Sequence, residues 1–263
     1  MPRKAAKATG EGTHWVVDPT QHIPIKMGTE GEAAYAPQTI MDIFEETVRK
    51  HGSKGALHLK RKNAKGELPA DWKVWTWQAY YDDCVKFAKT LSALGVSMHK
   101  IVNILGFNSP EWFIANIGTI IAGSIAAGIY PSNNADGCFY VSDHSEAEVI
   151  CTDENKQLAK YVDILSTKKL PKLKCFVLWD QTKDDKIVAQ LKKHGKDVYS
   201  WEEFMAIGSA VPDQTIKDRG DAVLPGHCSS LIYTSGTTGP PKAVMISHDN
   251  VTWTTRSVFE TVM

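Results

Sequence analysis

The sequence predicts an α/β fold, with alternating βαβ units forming a parallel-rich sheet covered by helices. Three observations predict it. The 263 residues are 43% hydrophobic and 23% charged, which is globular composition with enough chain for a large core. From Ile101 onward, apolar β-prone runs alternate with stretches of helical spacing, and this implies right-handed crossovers and a parallel sheet. Near the end, an apolar run at Leu231–Tyr233 enters a glycine- and hydroxyl-rich segment, and a second apolar run leaves at Ala243–Ile246. That pattern reads as strand, loop, strand.

Residues 1–36 are rich in glycine, threonine and charge and read as a disordered or extended tail. The start is basic, but no apolar stretch follows it, so it is not a secretory signal. Residues 37–263 read as the folded part. Thr39 caps a helix whose apolar positions Ile40, Ile43, Phe44 and Val48 follow helical spacing, and Gly52 stops it. Gly55–Lys60 and Lys73–Trp77 read as two strands of a hairpin around the charged turn 61–71. Thr76 or Trp77 opens a helix to Leu94, with Gly95 just past its end. Trp75 and Trp77 are read as packing residues.

Next come a strand at Ile101–Gly106 and a helix over 110–122, started by Ser109 as cap and Pro110 in the first turn. A strand follows at Ser124–Tyr130. The span Trp112–Tyr130 carries only three polar residues over 19 positions, long enough to cross a membrane. Its three glycines and its helix-start signal split it instead into a buried helix and a buried strand, so no transmembrane helix is expected. Further elements are a helix at Ala135–Ser142, a strand at Glu148–Thr152, a helix at Asn155–Leu165, a strand at Cys175–Trp179 and a helix at Lys183–His194. Ser200 caps a short helix. Val211–Pro225 is polar, contains two prolines and reads as a connector. Cys228–Thr234 is the strand feeding the loop, and the Ser247 cap opens a final helix of about 13 residues.

Lys+Arg and Asp+Glu both number 30, so the charge balance gives no case for a nucleic-acid partner. Five scattered cysteines without a C-x-x-C pair indicate reduced thiols in a cytoplasmic setting, not a disulfide framework or zinc site.

The loop carries the chemistry. Thr234, Ser235, Gly236, Thr237, Thr238 and Gly239 are six small residues, four of them with hydroxyls, followed by Pro240, Pro241 and Lys242. Glycines let backbone N–H groups converge on an anion, hydroxyls add donors, and the lysine adds a compact positive charge. The pattern is not a Walker A loop. The second glycine of that motif would fall at Pro241, and its magnesium-holding Ser or Thr would fall at Ala243. The bland alternative is an ordinary Ser/Thr/Gly hairpin loop.

The segment from Leu231 to Lys242 resembles, at all twelve positions, the signature loop of the adenylate-forming superfamily, which includes acyl-CoA synthetases, luciferases and peptide-synthetase adenylation domains. One neighbour departs: the family usually has glycine after the lysine, and here it is Ala243. Asn103–Trp112 and Gly128–Asn134 look like the first βαβ region of acyl-CoA synthetases. Tyr199–Met205 and Ser247–Trp253 are similar to the bubblegum-type long-chain acyl-CoA synthetases. The resemblance runs from about residue 20 to the end.

It implies a two-step ligase. A long-chain fatty carboxylate attacks the α-phosphate of ATP, giving acyl-adenylate and pyrophosphate, and the thiol of coenzyme A then displaces AMP. Magnesium (Mg2+) shields the phosphates. Carried over, Thr234, Ser235, Gly236, Thr237, Thr238, Gly239 and Lys242 hold the β- and γ-phosphates, which is charge stabilisation by preorganised donors. No catalytic residue and no metal ligand is expected within this chain. The resemblance also suggests peripheral association with a membrane surface, that of the endoplasmic reticulum, from the cytoplasm.

The chain stops 21 residues after Lys242, whereas complete family members carry several hundred more. The adenine and ribose segments, the mobile C-terminal domain and its lysine fall outside it. The expectation is a partial domain, inactive as a ligase alone, whose strand Cys228–Thr234 lacks sheet partners and forms an aggregation-prone edge. A short non-catalytic binding or regulatory product of the same family is the alternative reading.

Other residues have weaker claims. His227 and Cys228 are adjacent on a strand and point to opposite faces, which argues against a nucleophile pair. His248 is a candidate for a contact on the substrate side, against a packing role at a helix start. Asp136, Asp143 and His144 lack companions at metal-site spacing and read as surface residues.

Overall fold

The computed structural model describes residues 15–63, 65–235 and 239–262. The first 14 residues of the segment expected to be a tail lie outside the described residues, as does Ala64 in the charged turn. Residues 15–36 run along the body without a strand or α-helix, apart from a 3-10 turn at Gly31–Ala34. The Ile23 N–H donates to the Gly226 carbonyl at 3.0 Å and ties this segment down.

Helix α1 (Ile40–His51) starts at a capping box, in which Thr39 and Asp42 satisfy each other's backbone N–H. Strands β1 (Gly55–Leu59) and β2 (Lys73–Thr76) form the expected antiparallel hairpin, separate from the main sheet. Thr76 caps α2 (Trp77–Ala93), and Gly95 takes φ +69° beyond its end. The buried face of α2 includes Tyr80, Cys84, Phe87, Ala88 and Leu91.

The main unit then alternates β3 (Ile101–Leu105), α3 (Pro110–Ile121), β4 (Ile125–Ile129), α4 (Ala135–His144), β5 (Val149–Thr152), α5 (Asn155–Thr167), β6 (Cys175–Leu178) and α6 (Asp185–Lys193). The apolar span Trp112–Tyr130 is thus the helix and strand that its glycines and cap predicted. Among the described residues no helix is long and apolar enough to cross a membrane. Strand β7 (Asp197–Ser200), α7 (Trp201–Gly208), α8 (Asp213–Ala222), β8 (Cys228–Thr234), β9 (Lys242–Ser247) and α9 (His248–Val262) complete the chain.

Three sequence expectations need correction. Strand β7 was not expected. It pairs parallel with β6, and only Val198 among its four residues is buried, too little pattern to announce a strand. The connector 211–225 contains α8. Pro212 starts it, Ile216 and Gly220 form its narrow buried stripe, and Arg219 donates to the Val96 and Ala122 carbonyls at 2.8 and 3.3 Å. Finally, β8 is not an unpaired edge. It lies between β4, with which it is parallel, and β9, which folds back antiparallel through the loop.

The seven-stranded sheet has the order β7-β6-β5-β3-β4-β8-β9 and is parallel except for the last pair. Strand β3 is buried along its whole length. Its side chains alternate: Val102 and Ile104 join a core with α2, α3 and α7, and Ile101 and Leu105 join a core with α4 and α5. Near the carboxyl end of this sheet, Arg61 makes two 3.0 Å hydrogen bonds to buried Glu111 and reaches Asp180 at 2.5 Å. These contacts anchor the turn after β1.

Candidate phosphate-binding site

Strand β8 ends at the same side of the sheet as β3 and β4, because it runs parallel to β4 through Ala126↔Ser230 and Ala127↔Leu231. This is the side where open α/β sheets bind ligands. A cavity of about 760 Å³ opens there, with Gly106, Asn116, Gly128, Ile232 and Tyr233 in its wall.

Thr234 and Lys242 are opposite each other in the β8–β9 register, so the first and last members of the expected phosphate grip lie one strand spacing apart. Thr234, Ser235, Gly239 and Lys242 are exposed. Gly239 has φ +121°, which is the conformational freedom the loop needs on its return. Gly236, Thr237 and Thr238 lie outside the described residues. Ala243, where the family pattern has glycine, sits opposite Tyr233 and packs against the second core.

Both limbs of the loop rest on α4. The Tyr140 hydroxyl donates to the Pro241 carbonyl at 2.7 Å. One helical turn later, His144 Nδ1 lies 2.9 Å from the Tyr233 hydroxyl. The Tyr140 and His144 rings stack at 5.5 Å, and the Tyr233 ring stands edge-on to both. Burial pushes the Tyr233 phenol up to about 12, so it stays protonated as a hydrogen-bonding group. His144 was read as a surface residue, and Tyr140 was not singled out. The Tyr140–Pro241 bond joins residues 101 apart in sequence, and the only signal in the sequence is the i, i+4 spacing of two aromatic rings.

His248 is elsewhere. It is buried at the far end of β9, six residues from Lys242, roughly 20 Å away at strand rise. Its backbone N–H donates to the His227 carbonyl at 3.1 Å, and its Nδ1 accepts from the Ile40 N–H at 3.3 Å. The structure does not bring His248 together with the loop. Ser247 and Asn250 cap the start of α9 reciprocally, both at 3.1 Å.

His227 and Cys228 do not form a nucleophile pair. The His227 Nδ1 accepts the Leu224 N–H at 3.0 Å, and the Cys228 thiol donates to the Ser230 carbonyl. Burial pushes that thiol up to about 11. All five cysteines are free and buried. Asp136 pairs with Lys168 at 2.5 Å. Among the described residues no group of three or more His, Cys, Asp or Glu side chains could hold a metal ion.

A family model described as AMP-binding enzyme matches residues 44–263. The chain is 38% identical over 248 residues to the long-chain-fatty-acid–CoA ligase ACSBG2 of Xenopus laevis, covering 94% of this chain and 31% of that protein. It is 36% identical over 258 residues to the long-chain-fatty-acid–CoA ligase ACSBG1 of Mus musculus, covering 97% and 33%. The chain therefore spans about a third of the length of the curated relatives it matches. Among solved structures, the adenylation domain of a carboxylate reductase from Mycobacterium chelonae superposes with a TM-score of 0.65 at 17% identity, over 80% of this chain and 34% of that one. The anthranilate CoA ligase AuaEII, in complex with anthranoyl-AMP, superposes with a TM-score of 0.62 at 20% identity, over 84% and 37%. At these identities the solved structures speak for the fold.

Proposed function

The chain belongs to the AMP-binding enzyme family, and from that premise we propose that it forms the phosphate-gripping part of an ATP-dependent long-chain fatty acid–CoA ligase. The observation that carries the proposal is the β8–β9 hairpin at the carboxyl end of the sheet, which sets Thr234 beside Lys242 at the two ends of the loop. The names of the relatives, long-chain-fatty-acid–CoA ligases, support the substrate class.

In this reading the fatty carboxylate attacks the α-phosphate of ATP, which releases pyrophosphate and leaves an acyl-adenylate. The coenzyme A thiol then attacks the acyl carbon, forms the thioester and releases AMP. This chain's share is to hold the leaving pyrophosphate. Thr234, Ser235, Thr237 and Thr238 donate from their hydroxyls, Gly236 and Gly239 let backbone N–H groups approach, and Lys242 neutralises charge. These donors stabilise the charge that builds up as the P–O bond breaks, without nucleophilic or acid–base work. Magnesium belongs to the proposal as part of the nucleotide substrate, and no step is assigned to it.

Residues 37–263 form, in the same proposal, the first part of the AMP-binding domain. The protein works in the cytoplasm, peripherally on the endoplasmic reticulum membrane, where long-chain fatty acids partition. Cell fractionation with an antibody to residues 180–200 tests the location. The function is tested by fatty-acid-dependent exchange of labelled pyrophosphate into ATP, using the protein captured from its source with that antibody. Exchange that needs a long-chain fatty acid is expected, and no exchange with any carboxylate would sink the ligase reading. The 263-residue chain alone is expected to bind pyrophosphate weakly and to catalyse no exchange.

A further inference from the structure

We propose that Tyr140 and His144, on successive turns of α4, are positioning residues that clamp the two limbs of the loop and so fix where Lys242 stands. The inference rests on the phosphate-binding reading given above.

The two contacts fall on opposite limbs. Tyr140 holds Pro241 on the exit side, one residue before Lys242, and His144 holds Tyr233 on the entry side, one residue before Thr234. Ladder hydrogen bonds between β8 and β9 stop at the Thr234–Lys242 pair, so beyond it the sheet no longer fixes the spacing of the limbs. On the exit side Tyr140 holds Pro241, the residue just outside the ladder, and on the entry side His144 reinforces the ladder at Tyr233, which pairs with Ala243. Helix α4 is a firm support: Asn134 caps it, Cys138 and Val141 on it are buried in the second core, and Lys168 pairs with Asp136 in its first turn.

The chemistry at each contact is directional. Pro241 has no N–H, and its carbonyl accepts the Tyr140 hydroxyl. The Tyr233 hydroxyl has one proton. It reaches the Val141 carbonyl at 3.4 Å, and in that arrangement His144 donates from Nδ1 to the hydroxyl oxygen. Stacking of Tyr140 on His144 makes the two grips one unit. A loop held in place before its ligand arrives loses less freedom on binding, and in that way preorganised donors gain affinity.

The test uses the full chain with Tyr140→Phe, His144→Ala and His144→Asn, the last keeping an amide where Nδ1 stood. Two readings are taken: amide hydrogen exchange over residues 233–243, and affinity for inorganic pyrophosphate. Losing one neutral hydrogen bond corresponds to about a five-fold change. Tyr140→Phe and His144→Ala are expected to speed exchange at the loop limbs by about that factor and to weaken pyrophosphate binding similarly, with β3 and β5 exchanging as in the parent chain and His144→Asn restoring most of the loss. Unchanged exchange and unchanged affinity would overturn the clamp. Equal acceleration throughout the sheet would overturn it too, since that marks a general loss of stability. If the parent chain binds no pyrophosphate, the phosphate reading falls, and the exchange comparison alone still decides the clamp.

Discussion

Strands β3 and β8 run parallel in one sheet with only β4 between them, yet they treat their side chains differently. All five residues of β3 are buried, and helices cover both its faces. Strand β8 sends Leu231 and Tyr233 into the core beside α4 but leaves Ile232 50% exposed and Thr234 open to solvent. On β9, Val244 is likewise exposed. The middle of the sheet therefore holds the fold together, and its β8–β9 end presents the loop to solvent. Binding elements are drawn from the less stable parts of a structure because they must meet a ligand.

Truncation on the two strands should expose this division most strongly. Ile104 is fully buried, and Ile104→Ala is expected to lower stability by about 2–5 kcal/mol through lost burial and a residual cavity. Ile232→Ala removes a half-exposed side chain and should cost only about 1 kcal/mol. Urea unfolding of both variants measures the difference. Equal losses would mean that the β8 end is as deeply integrated as the centre, and the comparison would break.

Lys242→Ala reverses the ranking. Lys242 is exposed at the mouth of the loop, so the unfolding midpoint should stay within the ordinary surface range, about 0.5 kcal/mol. Removing a charged donor to phosphate should weaken pyrophosphate binding by roughly ten- to a hundred-fold. Calorimetric titration with pyrophosphate reads it. Unchanged affinity would separate Lys242 from phosphate binding.

Much of this division was legible in the sequence, and its blind spots have physical causes. The strands β3, β4, β5 and β6 announced themselves because strands covered on both faces are apolar nearly throughout. The caps at Thr39, Thr76, Ser109 and Ser200 worked because their effect is local. Strand β7 and helix α8 were missed because each buries only one or two side chains, and a stripe that narrow has no periodicity to read. The loop drew attention because its residue types suggest a chemistry without reference to any fold. The Tyr140–Pro241 hydrogen bond could not be read, because the two residues meet only after the chain has folded across 101 positions. The pairing of β8 was misjudged for the same kind of reason: β9 returns from the loop, pairs with β8 and takes the edge position itself.

A smaller effect should appear on acidification, at the base of β8. His227 packs against His22 and His99, with ring centroids at 5.3 and 4.9 Å, and Asp18 lies near His99. Burial, reinforced by the two neighbouring imidazoles, pushes His227 down to about 4, and burial also lowers His22 and His99. Above the unfolded value near 6.5 neither state carries the extra proton, so stability is flat. As pH falls from there towards about 4 the unfolded chain takes up protons that the folded chain refuses, and stability declines. Thermal melts at pH 7.5, 6 and 5 should show the decline, and His227→Gln should make it shallower, with His22 and His99 supplying the remainder. A melting temperature that rises on acidification would contradict the burial of this cluster.

The smallest change addresses the departure from the family pattern. Ala243 faces Tyr233 across the hairpin and packs on the second core, and its φ is not positive, so the alanine side chain is accommodated without strain. Ala243→Gly should therefore weaken the hairpin by roughly 0.5–1 kcal/mol, the usual cost of glycine inside a strand. It should leave pyrophosphate affinity unchanged, because the side chain packs on the core while the Lys242 side chain is exposed. A gain in affinity on Ala243→Gly would mean that the extra methyl group narrows the approach to the loop, and that the β8–β9 end trades binding for stability at this position.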